Sequence, residues 1–158
     1  MLVRWLLAAI HLLAFGFALA SIVRRSRGLR RCTSTEGLPA IFSADNGWGG
    51  SALVLIVTGA MRAFGGFEKG ADYYLHEPLF NVKMGALVLI LLLEIAPMMA
   101  LLRWRNAVKN GDVPDLTHAP KYARIGRWQT LLLVVMVFAA TGMARGIGLA
   151  GMGADGAS

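Results

Sequence analysis

Residues 79–102 read LFNVKMGALVLILLLEIAPMMALL, and this stretch decides the fold. A helix rises about 1.5 Å per residue, so about 20 mostly apolar residues cross a hydrocarbon core of about 30 Å. The stretch has that length and carries two ionisable side chains, Lys83 and Glu94. Three further runs resemble it: residues 2–23, 48–67 and 128–148. Lipid offers no partner to an unpaired backbone group, so each run is expected to be helical. Trp5, Trp48, Trp104 and Trp128 fall near the expected ends, where indole rings anchor at membrane interfaces. The expected fold class is all-α, a polytopic membrane four-helix bundle. It forms one transmembrane domain, residues 1–148, followed by a flexible Gly/Ala-rich tail, residues 149–158.

Composition supports this reading. Of 158 residues, 56% are hydrophobic and 16% charged, against about a quarter charged in an average soluble domain. The mean hydropathy is +0.58, too apolar for so small a soluble body or for a disordered chain. A single cysteine, Cys32, excludes a disulfide-stapled module. A net charge of +7 would suggest nucleic acid in a soluble protein. Here the basic residues flank apolar runs, so they read as topology and no nucleic-acid partner is expected. The expected partner is the lipid bilayer, with a homo-oligomer or a larger membrane complex also open.

The first run also has features of a signal peptide: Arg4, a short apolar stretch and Ala18-Leu19-Ala20. Five arginines follow at once (Arg24, Arg25, Arg27, Arg30, Arg31), and such a cluster resists export, so the run is read as a spanning helix. Residues 24–45 hold those five basic groups and residues 103–127 hold six more, eleven of the sixteen in the chain. Residues 65–78 hold only Lys69, beside Glu68, Asp72 and Glu77. The excess of positive charge predicts that the two long loops face the cytoplasm of a bacterial inner membrane, with both termini outside. Cys32 would then be an ordinary thiol in a reducing compartment.

The two halves carry a repeat. Thr58–Gly65 and Thr141–Gly148 both read T-G-x-x-R-x-x-G at an offset of 83, and the same offset lays His11 over Glu94. This suggests a duplicated helical hairpin with a pseudo-twofold axis along the membrane normal.

Ionisable groups within a membrane are costly and turn inward. At about 100° per residue, positions 11 apart share a face. Lys83 with Glu94, and Ser51 with Arg62, have that spacing, while Thr141 and Arg145 are one turn apart. His11 shares a face with Ala8, Phe15 and Ala18. The expected site is therefore an outer-half pocket lined by His11, Arg62, Lys83 and Arg145, with Glu94 deeper. Repulsion among those cations calls for an anion: a carboxylate ligand, a porphyrin propionate or a lipid headgroup. His11 is the candidate metal ligand, for haem b or another porphyrin. Simpler roles stand beside these: Arg62, Arg145 and Lys83 snorkelling to headgroups, His11 bonding a neighbouring helix, and Glu94 buried and protonated. His76 and His118 read as solvated loop residues. The methionines form no M-x-x-M array and read as core filling. No P-loop, H-E-x-x-H, C-x-x-C or G-x-S-x-G motif is present.

The opening LLAAIHLLAFGFALA, the paired TGAMR and TGMAR, and EPLFNVKMGALVLILLLE together resemble the bacterial inner-membrane family DUF2214 over nearly the full length. That family implies no biochemical role. More distantly, the pattern is similar to HemJ-type protoporphyrinogen oxidases and CopD copper-resistance proteins. That similarity implies that His11 matches a first-helix histidine proposed as a haem ligand and Lys83 a lysine of the next hairpin. Asn81 stands where the oxidases usually have histidine. Three functions are therefore expected to compete. The first is binding of haem, a porphyrin or another anionic ligand, with a HemJ-like redox role. The second is proton or solute transport through Glu94, and the third a non-catalytic assembly subunit.

Overall fold

Arginine is a good helix former, so the basic cluster after residue 23 need not end a helix. The computed structural model, which describes residues 2–64 and 78–147, carries α1 over Leu2–Arg31. A link containing one 3-10 turn, Thr35–Gly37, leads into α2, Leu38–Phe64. Pro39 costs α2 nothing in its first turn, where backbone N–H groups have no intrahelical acceptor. α3 spans Pro78–Lys109 and α4 spans Ala119–Ala144. Beyond these two helices Gly111 and Gly146 take φ of 80° and 71°, the left-handed conformation that glycine adopts without strain.

All four helices are long and apolar enough to cross a membrane. Their outer faces bear this out: Leu12, Leu13, Phe17 and Phe138 are more than two-thirds exposed. Such surfaces suit lipid and would be unusual against water.

The helices outrun the expected spans. α1 continues past residue 23 to Arg31, and α2 starts at Leu38 instead of 48. α3 reaches Lys109 instead of 102, and α4 starts at Ala119 instead of 128. Hydropathy measures the length in lipid, whereas the backbone stays helical until a turn signal arrives. The expected loops 24–45 and 103–127 shrink to 32–37 and 110–118. In the second link Asp115 accepts the N–H and O–H of Thr117 at 2.9 and 2.5 Å, which holds its carboxyl below the usual range. The expected helical residues 65–67 and 148 and the tail 149–158 lie outside the described residues.

Packing divides the bundle along its length. At the end bearing the two short links, Leu29, Leu38, Ile41, Leu101, Trp104, Ala119 and Ala123 form one core. Tyr122 meets Trp104 edge-on, with centroids 6.0 Å apart. Further along, Ala18, Ile22, Trp48, Ile90 and Leu133 form a second. α1 packs on α2 and α4, and α3 packs on α4, but α2 and α3 make few close approaches. The tight crossings are glycine-mediated: a Cβ on Gly47 would stand 2.6 Å from Ser21 Oγ, and one on Gly126 would strike Ser26.

Both expected hairpins, α1 with α2 and α3 with α4, therefore form. The contacts between the two hairpins are unequal, since α1–α4 is tight while α2–α3 is loose, so they support the repeat in part. Two tryptophans also depart from the expected role. Trp5 and Trp128 are exposed as anchors would be, but Trp48 and Trp104 are buried core residues.

Candidate functional site

Among the described residues the most buried ionisable group is Arg25, at 1% exposure. It lies on the α1 stripe Ala18, Ile22, Arg25, Leu29, all buried. Charge so deep requires partners, and three helices supply them. Arg25 donates to Glu94 of α3 through Nη1 to Oε1 at 2.5 Å and Nη2 to Oε2 at 2.7 Å. Its Nη1 also reaches Asp45 of α2 at 2.7 Å, and its Nη2 reaches Gln129 of α4 at 3.2 Å. The guanidinium stands 5.8 Å from the Trp48 ring centroid. Its Nε has no partner among the described residues.

The partners are themselves held. Gln129 Nε2 donates to Glu94 Oε2 at 2.7 Å and to the Ile90 carbonyl at 3.2 Å. Arg105 of α3 donates to Asp45 at 3.0 Å, Asn46 at 2.9 Å and the Phe42 carbonyl at 3.1 Å. Its guanidinium also lies 4.7 Å from the Phe42 ring centroid. Arg105 thus bridges α2 and α3 where their backbones stay apart. Two guanidiniums face two carboxylates, so the network balances its own charge.

This network floors a cavity of about 1350 Å³, larger than the roughly 300–1,000 Å³ usual for small-molecule pockets. Asp45, Asn46 and Glu94 line the floor; Arg4, His11, Arg62 and Lys83 line the far part. The walls between are largely apolar, including Phe15, Trp48, Leu87, Ile90 and Met136, and α2 presents Gly49, Gly50 and Gly59 to the space. Glu94 and Lys83 are about 16 Å apart along α3, and Asp45 and Arg62 about 25 Å along α2. The core beyond Arg25 closes the other end.

His11 is placed by Thr58. The Thr58 hydroxyl donates to the Val54 carbonyl at 2.6 Å, so its oxygen accepts from His11 Nδ1 at 2.7 Å. Gly59 lies beneath the imidazole, where a Cβ would sit 3.4 Å from His11 Cε1.

The expected residues thus separate. His11, Arg62, Lys83 and Glu94 line one cavity, while Arg145 is exposed at the end of α4 and does not. The T-G-x-x-R repeat therefore has unequal halves. Glu94 faces a guanidinium 2.5 Å away rather than standing alone. His118 is exposed, and His76 and the acids Glu68, Asp72 and Glu77 lie outside the described residues. Among the described residues no group of three or more His, Cys, Asp or Glu could hold a metal ion.

Arg25, Asp45, Arg105 and Gln129 were not anticipated. The signal for Arg25 was present: His11, Ala18 and Arg25 recur every seven residues, on one helical face.

These features define a polytopic membrane protein whose four helices are clamped by a buried charge network at one end and part around a cavity at the other. The chain belongs to the family described as "Predicted membrane protein (DUF2214)", which matches residues 3–148. No curated protein and no solved structure matches it, and the similarity to HemJ-type and CopD-type proteins is not shown.

Proposed function

We propose that the protein binds an amphipathic anion in this cavity, in an inner membrane, with the network end in the cytoplasm and both termini outside. The observation that carries the reading is one large space with apolar walls whose far part collects basic groups from three helices: Arg4 and the imidazole of His11 from α1, Arg62 from α2 and Lys83 from α3. The sequence also puts Lys69 and Arg145 at that end, five Arg and Lys in all, against Glu68, Asp72, Glu77 and Asp155.

Arg62 and Lys83 would hold acid groups through charge-assisted hydrogen bonds. Arg145, outside the cavity, would act only as a headgroup anchor. The apolar body would lie between α2 and α3, toward the floor. Haem or another porphyrin is the occupant to test first, because a histidine with Nδ1 fixed by a hydrogen bond is how proteins orient a metal-ligating imidazole. Bound haem would supply redox chemistry; His11 would orient it and Glu94 would remain the counter-ion of Arg25. The sealed network end favours binding over conduction, since a carrier would have to break that core.

The test is the visible spectrum and metal content of one sample purified in mild detergent from haem-replete cells. A Soret band with stoichiometric iron, lost in His11→Ala, supports haem. No band, even after haem titration, removes haem and leaves a metal-free anionic amphiphile.

A further inference from the structure

A second cleft lies on the opposite end of the molecule, between the last turns of α1 and the start of α2. It has a volume of about 350 Å³ and is lined by Arg24, Arg27, Arg31, Gly28, Gly37 and Ile41, among others. The three arginines fall within about 60° of one another around the helix axis. All three are exposed, and none enters an ion pair among the described residues. α1 therefore sorts its basic cluster: Arg25 turns inward to Asp45 and Glu94, while these three share an outward face. Gly28 shapes the cleft, because a Cβ there would stand 2.8 Å from Ile41 Cγ1; α2 can come close only because it is absent. Opposite, Gly37, Ala40 and Ile41 form a wall without charge. The nearest acid in sequence, Glu36, is exposed and forms no ion pair among the described residues.

Depth identifies the occupant. The apolar run of α1 ends at Val23, and headgroups extend about 5–8 Å beyond the hydrocarbon on each side. At about 1.5 Å per residue, Arg24 and Arg27 stand within that layer and the Arg31 backbone about 12 Å past Val23, a few Å beyond it, from where its long side chain reaches back. We propose that this cleft is a headgroup site for an anionic phospholipid, whose phosphate is gripped by Arg24, Arg27 and Arg31 while its chains lie along the apolar face of α1. Guanidiniums match phosphate oxygens in bidentate geometry, which lysines would not. The site is independent of the cavity and of what fills it.

Native mass spectrometry of the delipidated full chain, titrated with phosphatidylglycerol or phosphatidylcholine, tests this. Phosphatidylglycerol should bind in preference. Each arginine near an anionic surface is worth about fivefold in affinity, so Arg24→Gln/Arg27→Gln/Arg31→Gln should lose about a hundredfold and Arg27→Gln alone about fivefold. Gly49→Leu, which narrows the cavity, should leave this binding unchanged. Equal binding of the two lipids, or full binding by the triple variant, overturns the proposal. So does competition by millimolar inorganic phosphate, which would make the occupant a soluble ion. Loss of binding in Gly49→Leu would move the lipid to the cavity and overturn it as well.

Discussion

Removing Arg25 tests the network that joins the four helices. Arg25→Met keeps an unbranched apolar stem and deletes the guanidinium with its charge. Asp45 retains Arg105 at 3.0 Å, so its loss is small. Glu94 retains only Gln129 Nε2 at 2.7 Å, and its carboxylate is left largely buried without a counter-charge. Breaking a buried pair on one side costs about 3–5 kcal/mol. For a chain of this size each kcal/mol corresponds to about 2–4 °C, so the melting temperature should fall by on the order of 10 °C. Adding Glu94→Gln removes the stranded charge and should restore a large part of the loss, since a neutral amide can bond Gln129. Unfolding in detergent, followed by circular dichroism and by labelling of the single cysteine Cys32, reads both variants. A single variant melting within about 2 °C of wild type, or a double variant melting below the single one, would refute the assignment of Glu94 as the counter-ion of Arg25.

Gln129 is fully buried and bonds both Arg25 and Glu94; Gln129→Leu should cost about 1–3 kcal/mol in the same assay, and a neutral result would contradict its role. Gly126→Ala drives a methyl into Ser26 and should destabilise by about 1–3 kcal/mol, with Ser26→Gly relieving most of it; additive losses would argue against the α1–α4 contact. Burial raises the Cys32 thiol, so its alkylation rate should titrate above the ordinary thiol range when folded and fall back into that range in denaturant. With the folded value raised, the linked stability is complete below the unfolded pKa and lost as pH rises through the folded one. An alkylation midpoint that denaturant leaves unmoved would contradict the burial.

The spanning helices were legible because hydropathy is local: nothing outside residues 79–102 is needed to see that they suit lipid. The inward stripe was legible for the same reason, and His11, Arg62, Lys83 and Glu94 do line one space. The helix ends were not, since hydropathy falls off at Arg24 and Asp45 while the backbone remains helical. Arg25 was hidden among four other arginines that together read as a topogenic loop. Its burial depends on how α1 is rotated against Asp45, Glu94 and Gln129, each on a different helix, and no local pattern encodes that. Trp48 and Trp104 are buried for the related reason that the helices continue past the lipid-length runs, so Trp48 lies ten residues inside α2 and Trp104 five residues inside α3, both packed in the core. Arg145 parted from Arg62 because α4 stops at Ala144 and carries its arginine out of the bundle.

The central claim is that the cavity between the helices holds an amphipathic anion. Gly49 lines it, and a Cβ there meets nothing within 4 Å, whereas Gly85 is equally open but does not line it. Leucine at either position should therefore fold, yet only Gly49→Leu should fill the space. Native mass spectrometry of the wild type, Gly49→Leu and Gly85→Leu, each released from native membranes and scored only for adducts that persist when Arg24→Gln/Arg27→Gln/Arg31→Gln is added, should show a tightly held anionic adduct in the first and third and its loss in the second. The same adduct in all three, or none in the wild type, would contradict the account.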